Sequence, residues 1–149
     1  MTTAARPPLP LIPAKLAAPA LHPGLLARPR FDEWLARLAQ VRLAVLQAPS
    51  GFGKTVLAAQ WAAAFDGAVA WLNLDGNDNS PRQFGRYLLN ALHARLEAGC
   101  PLGVARAEQG DEGLDGLLTR LLAELPASHR PLLLVLDEFE VLHNPEVIQ

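Results

Sequence analysis

The sequence has little of several features that would assign its class directly. A single cysteine, Cys100, stands among 149 residues, which excludes an internal disulfide framework and is typical of a reducing compartment. Aromatic residues make up 6% of the chain and the formal net charge is -2, so composition predicts no strong field that would attract nucleic acid. No unbroken apolar run approaches the ~18 residues that cross a bilayer. We therefore expect a cytoplasmic globular protein.

Proline is concentrated near the amino terminus, at positions 7, 8, 10, 13, 19, 23 and 29. Because proline lacks an amide donor and fixes φ, these positions prevent a continuous helix. They also interrupt the apolar core that a secretion signal needs. We predict an extended proline-rich arm over residues 1–30, of which residues 1–9 fit a flexible tail equally well. The arm has no acidic residue and carries four basic ones: Arg6, Lys15, Arg28 and Arg30.

Residues 31–149 alternate between helical patterns and apolar runs of strand length. This succession predicts an α/β fold with a parallel sheet. Expected strands are at about 41–47, 68–74 and 131–140, and expected helices at 30–40, 55–65, 80–99 and 111–125. At the start of the third helix, Ser80 is a natural N-cap, Pro81 suits the first helical position and Gln83 would complete a capping box. The polar stretch DGNDN, residues 75–79, is most simply a turn.

The stretch APSGFGKT, residues 48–55, matches the phosphate-loop pattern, with alanine in place of the opening glycine. Gly51 and Gly53 let backbone amides approach a polyphosphate without a Cβ in the way. Lys54 can then reach the β and γ phosphates, and the Thr55 hydroxyl can bind Mg²⁺. The following helix directs its positive end at the anion. The predicted nucleotide-binding residues of the loop are Ala48, Pro49, Ser50, Gly51, Phe52, Gly53, Lys54, Thr55 and Val56.

Two acidic residues follow the last apolar run, LLLVLDE. At the carboxyl end of a strand, Asp137 can hold hydrated magnesium, and Glu138 can orient or deprotonate the attacking water. The alternative is a solvated acidic turn after a buried strand. Together with the loop, the pair predicts a site for a nucleotide and Mg²⁺.

These motifs give the chain an almost end-to-end resemblance to a known family. LIPAKL at 11–16, RPR at 28–30, LQAPSGFGKTVLAAQWAA, AWLNLDGNDNSPRQFGRYLLNAL and HRPLLLVLDEFEVLHNPEV resemble, in this order, motifs of the MalT-like, ATP-dependent LuxR-type transcriptional regulators. These regulators belong to the signal-transducing (STAND) P-loop ATPases. The resemblance implies a three-layer α/β/α fold that binds ATP or ADP with Mg²⁺, here incomplete, with an arm over 1–30 and a partial ATPase domain over 31–149.

The resemblance also implies roles for single residues. Lys54 would contact phosphates, Thr55 and Asp137 would bind Mg²⁺, and Arg30 in the arm would border the adenine pocket. Glu138 would direct water, although family members often have an aspartate at that position. Lys54 and Glu138 are thus the expected catalytic residues, and slow regulatory hydrolysis is expected only in a full-length protein.

Family members continue into further strands, a winged helix, a helical-repeat sensor and a DNA-binding helix-turn-helix, all of which would follow Gln149. In that family the strand before the loop pairs with strands from this later part. We therefore expect residues 41–47 to lack a paired neighbour and the isolated chain to bind ATP weakly at best. Expected partners are ATP, copies of the chain or full-length homologues, and DNA only through a carboxyl-terminal domain. Two alternatives stay open: a stand-alone P-loop ATPase, or a truncated fragment that acts by interaction or not at all.

Overall fold

The structure is a computed structural model that describes residues 10–24, 32–38, 40–95, 113–124 and 131–148. The chain divides into two compact units, one of residues 18–65 and one of residues 1–17 together with 66–149. Both helices and strands are present, as an α/β fold requires. The described α-helices are α1 Asp32–Leu38, α2 Lys54–Ala64, α3 Pro81–His93, α4 Leu114–Glu124 and α5 Pro145–Ile148, and the strands are β1 Ala68–Asn73 and β2 Leu132–Asp137.

The strands β1 and β2 form a parallel pair in the unit of residues 1–17 and 66–149. Their register runs from Ala68 opposite Leu132 to Asn73 opposite Asp137, so both carboxyl ends lie at one edge of the sheet. β2 is less buried than the apolar run predicts, and Leu134 is 36% exposed. Among the described elements, α3 packs on β1 and β2 pairs with β1 alone, so the side chains of β2 are less covered.

Helix α3 packs against β1 and α4 packs against α3, and together they form the core. The predicted buried face of α3 is confirmed, and α4 contributes the leucines at 114, 117 and 121. The buried residues on the predicted face of α3 are Phe84, Tyr87, Leu88, Ala91 and Leu92. Gly85 lies where α3 approaches α4, since a Cβ added there would come within 2.6 Å of a methyl carbon of Leu117.

The predicted capping box at the start of α3 is wrong. Pro81 occupies the first turn as expected, but the Ser80 side chain makes no capping hydrogen bond. The capping box lies one turn earlier, in a 3-10 helix over Gly76–Asn79, where Asp75 and Asp78 cap each other's backbone. Carboxylates of the DGNDN stretch therefore accept hydrogen bonds from backbone N–H groups of the same stretch. Its turn leads directly into α3.

The unit of residues 18–65 contains α1, the segment 41–53 and α2. The predicted strand at 41–47 is wrong, because the structure forms no strand there. Val41, Leu43 and Val45 are 51%, 79% and 77% exposed. A strand needs a hydrogen-bonding neighbour, and among the described residues 41–47 pairs with none, as expected from the resemblance. No helix in the described ranges is long and apolar enough to cross a membrane.

Candidate functional site

The phosphate-loop sequence adopts a glycine-dependent conformation immediately before α2. Gly51 and Gly53 have φ of 81° and 80°, in the left-handed region that other residues enter at a cost. Gly53 is the N-cap of α2. No atom of the described chain beyond the adjacent residues lies within 4 Å of a Cβ placed on either glycine. The two glycines are therefore required by the backbone turn, and the space beside them is open to a ligand.

Lys54 begins α2 and bends back over the loop. Its ammonium donates a hydrogen bond of 3.0 Å to the carbonyl oxygen of Ala48, so the two ends of the loop are joined and a positive charge lies at its opening. Phe52, between the glycines, is 68% exposed. The first turn of a helix carries backbone N–H groups that intrahelical bonds do not use, and these favour a bound anion. Open space, a cation and a helix start together fit a polyphosphate.

The acidic pair lies at the carboxyl end of β2, in the unit that contains the sheet. Asp137 is buried, and one of its carboxylate oxygens accepts a hydrogen bond of 3.1 Å from the backbone N–H of Glu138. Its carbonyl oxygen accepts another from the N–H of Leu74. Glu138 is exposed and has φ 59°, a conformation that costs on the order of 1 kcal/mol for a residue with a Cβ. Such strain is typical of functional positions.

The comparisons with known proteins agree with the motifs. No protein-family model matches the chain. The chain is 35% identical over 138 residues to the HTH-type transcriptional regulator MalT of Cronobacter sakazakii, and 36% identical over 135 residues to that of Serratia proteamaculans. These alignments cover 92% and 90% of the chain. Over these residues the chain is similar to the MalT regulators. It spans 15% of the length of each of these relatives.

The homology to MalT confirms the resemblance that the motifs carry, but the predicted site residues stay predictions. The loop, Ala48 to Val56, belongs to the unit of residues 18–65, and Asp137 and Glu138 belong to the other unit. Arg30, predicted beside the adenine, lies outside the described residues. Among those described, no group of three or more His, Cys, Asp or Glu side chains could hold a metal.

Sequence reasoning missed the role of Lys15 in the MalT-like motif LIPAKL. This side chain is 7% exposed, and its ammonium lies 2.5 Å from Asp78 and 3.0 Å from Asp75. It also lies 4.5 Å from the centre of the Tyr87 ring, within cation–π range. The Tyr87 hydroxyl accepts a hydrogen bond from the N–H of Ile12. Residues 10–17 are thus held against the end of β1. The prediction of an extended, basic arm did not include this contact.

The charges of this cluster stabilise each other. Burial opposes the charge on Lys15, but hydrogen bonds to Asp78 and Asp75 outweigh it and raise the pKa of Lys15 above its ordinary value. Burial likewise opposes the charge on Asp75, and its hydrogen bonds to Lys15 and to the N–H of Asn77 lower the pKa of Asp75 below its ordinary value. The pairing therefore stays ionised across the neutral range.

Proposed function

We propose that the chain is the ATP-binding and ATP-hydrolysing switch segment of a MalT-like LuxR-family transcriptional regulator. The observation that carries the proposal is the loop conformation, in which two glycines at positive φ lead into α2 and Lys54 covers the loop. A turn of this kind beside a helix start binds phosphate groups. The homology to MalT supports the regulatory context.

In this proposal the loop binds the phosphates of ATP. Backbone N–H groups of residues 50–56 would donate to the β and γ phosphates, and Lys54 would exchange its hydrogen bond to the Ala48 carbonyl for the phosphate oxygens. The Thr55 hydroxyl, in the first turn of α2, would bind Mg²⁺, and Arg30 would border the adenine. Each donor is stronger toward a phosphate than toward a neutral carbonyl, because the acceptor is charged.

The acidic pair would supply the hydrolytic half of the reaction. Thr55 and Asp137 are the residues that would hold Mg²⁺, whose positive charge favours phosphoryl transfer. Asp137 would hold the hydrated ion, and Glu138 would orient a water and accept its proton as the water oxygen attacks the γ phosphorus. The bond from that phosphorus to the leaving oxygen of ADP breaks, and ADP and phosphate are released. We expect turnover to be slow and regulatory.

For the whole regulator, we propose that ATP favours a self-associating state and that hydrolysis resets it. DNA would be bound by a helix-turn-helix elsewhere in the regulator, as the name of the MalT relatives indicates for those proteins. Sequencing the natural transcript checks this part, because a product without a helix-turn-helix would contradict it.

Titration calorimetry with ATP tests the nucleotide site. We expect the 149-residue chain to bind ATP more weakly than ~1 µM, and Lys54→Ala to weaken binding by at least about tenfold, or 1.4 kcal/mol. Arg42→Ala is the matched control, since it removes an exposed cation from the same unit without touching the loop. Equal affinity of wild type and Lys54→Ala, or equal loss in both variants, would contradict the proposal.

A further inference from the structure

The side chain of Asn79 joins the loop after β1 to the segment after β2. Its amide nitrogen donates hydrogen bonds to the carbonyl oxygens of Val141 at 2.9 Å and Gly76 at 3.2 Å. Its amide oxygen accepts from the N–H groups of His143 at 2.7 Å and Asn144 at 3.0 Å. An asparagine amide has two donors and can accept two bonds, so this side chain uses its whole capacity.

A return contact makes the connection reciprocal. The side-chain amide of Asn144 donates to the backbone carbonyl of Asn79 at 2.7 Å. The same Asn144 accepts the N–H of Glu146 through its side-chain oxygen, which begins α5. The segment 141–144 is therefore fixed by hydrogen bonds from the loop after β1 and cannot move without breaking several of them.

The segment 141–144 begins at the end of a short 3-10 helix, Phe139–Val141, whose N-cap is Glu138. At one end of this turn, the Glu138 N–H is bound by the Asp137 carboxylate. At the other end, the N–H of Val141 returns to the Glu138 carbonyl at 3.0 Å, while the Val141 carbonyl is bound by Asn79. A non-glycine residue remains at positive φ only when its surroundings determine its conformation. Asn79 supplies one part of those surroundings from outside the turn itself.

We propose that Asn79 is a positioning residue that holds Glu138 in its left-handed conformation and so directs the Glu138 carboxylate. Assigning the carboxylate to water activation rests on the proposed ATP hydrolysis, whereas the conformational role does not. Asn79 touches neither ATP nor Mg²⁺ in this account; it acts through the segment 139–142.

The turn that carries Asn79 is itself held in place by the neighbouring residues. Asp78 is fully buried, accepts the N–H of Asp75 at 2.8 Å, and pairs with the Lys15 ammonium. The position of Asn79 is therefore fixed in part by residues 75–78 and Lys15, through contacts that do not involve Glu138.

Backbone coupling constants of the 149-residue chain test the proposal, because the coupling between the N–H and Hα protons of Glu138 depends on φ. The variants are Asn79→Ala, which removes all four side-chain hydrogen bonds, and Asn79→Asp, which keeps the acceptors and loses the donors. Asn77→Ala is the matched control, since Asn77 is exposed in the same turn and its bonds, to Asp75 and Ser80, stay within that turn. Amide exchange in β2 reports whether each variant keeps its fold.

We expect the Glu138 coupling to leave its left-handed value in Asn79→Ala, to shift partway in Asn79→Asp and to stay unchanged in Asn77→Ala, with β2 protected throughout. An unchanged coupling in Asn79→Ala, or a change that appears only with loss of β2 protection, would overturn the proposal. In single-turnover hydrolysis by the full-length regulator, where turnover is expected, we expect Asn79→Ala to be at least tenfold slower while its ADP affinity without Mg²⁺ stays within threefold. If the wild-type protein does not bind ATP, the proposed function is wrong. The proposal for Asn79 is still decided by the Glu138 coupling.

Discussion

At the scale of one residue, Lys15 has a structural role that its neighbours in the sequence do not indicate. A lysine in a proline-rich basic arm is ordinarily solvated, because burying an unpaired charge costs several kcal/mol. Here the partners come from Asp75 and Asp78, more than fifty residues along the chain. The sequence does show an acidic pair spaced as a capping box, but pattern alone cannot tell which cation will meet it.

Replacing Lys15 should destabilise the unit and change how stability depends on pH. Lys15→Met leaves buried Asp78 without its cation, so we expect a loss of about 3–5 kcal/mol near neutral pH. The pKa of Lys15 is raised, so its contribution is complete below its unfolded value of 10.5 and is lost as pH rises further. The pKa of Asp75 is lowered, so its contribution is complete above 3.8 and is lost as pH falls further.

Urea unfolding between pH 3 and 11 measures this effect. The wild-type advantage over Lys15→Met should be largest between about pH 4 and 10 and shrink at both ends. Arg82→Met, at an exposed position of α3, is the control and should change stability by less than ~0.5 kcal/mol. A Lys15→Met/Asp78→Asn double variant should lose less than the sum of its single changes, and strict additivity would contradict the ion pair.

At the scale of elements, the sequence pattern predicted the buried face of a helix correctly and a strand incorrectly. A strand depends on a hydrogen-bonding partner, which the pattern does not show. The helical spacing of Phe84, Tyr87 and Leu88 identified the buried face of α3, since one face of a helix is a local property. The segment 41–47 has the composition of a strand, but a strand exists only with a neighbour, and none is described. The loop glycines were predicted from their motif, whereas the strained φ of Glu138 has no sequence signal, because other residues impose it.

The contact between α3 and α4 gives an element-scale prediction at Gly85. Alanine favours a helix by about 1 kcal/mol over glycine, but its Cβ would come within 2.6 Å of a Leu117 methyl carbon. Overpacking of a core costs about 1–3 kcal/mol, so we expect Gly85→Ala to destabilise the protein by about 1 kcal/mol in thermal or urea unfolding.

A double variant separates this clash from helix propensity. Leu117→Ala alone should cost about 2–5 kcal/mol, and Gly85→Ala/Leu117→Ala should cost less than the sum, because the new methyl group enters the space that Leu117 leaves. Gly85→Ala combined with Leu121→Ala is the control pair and should be additive within about 0.5 kcal/mol. A stabilised Gly85→Ala would show that Leu117 moves aside without cost.

At the scale of the whole molecule, apolar surface is distributed unevenly. The unit that contains the sheet buries a continuous core between its strands and α3 and α4. In the other unit, three apolar side chains of one short segment, Val41, Leu43 and Val45, are each at least half exposed. Single exposed apolar residues are ordinary, but an exposed extended segment of strand composition favours association between molecules.

We therefore expect the 149-residue chain to self-associate as its concentration rises, and Leu43→Lys/Val45→Lys to reduce that association. Both side chains are more than three-quarters exposed, so the double variant should keep its stability within ~0.5 kcal/mol while like charges repel between molecules. Sedimentation velocity from low to high micromolar concentration measures the effect.

Leu122→Lys, at a 68% exposed position of α4, is the control and should associate like wild type. A wild type that stays monomeric throughout would contradict the expectation, and equal relief in the control would show that added charge alone is responsible.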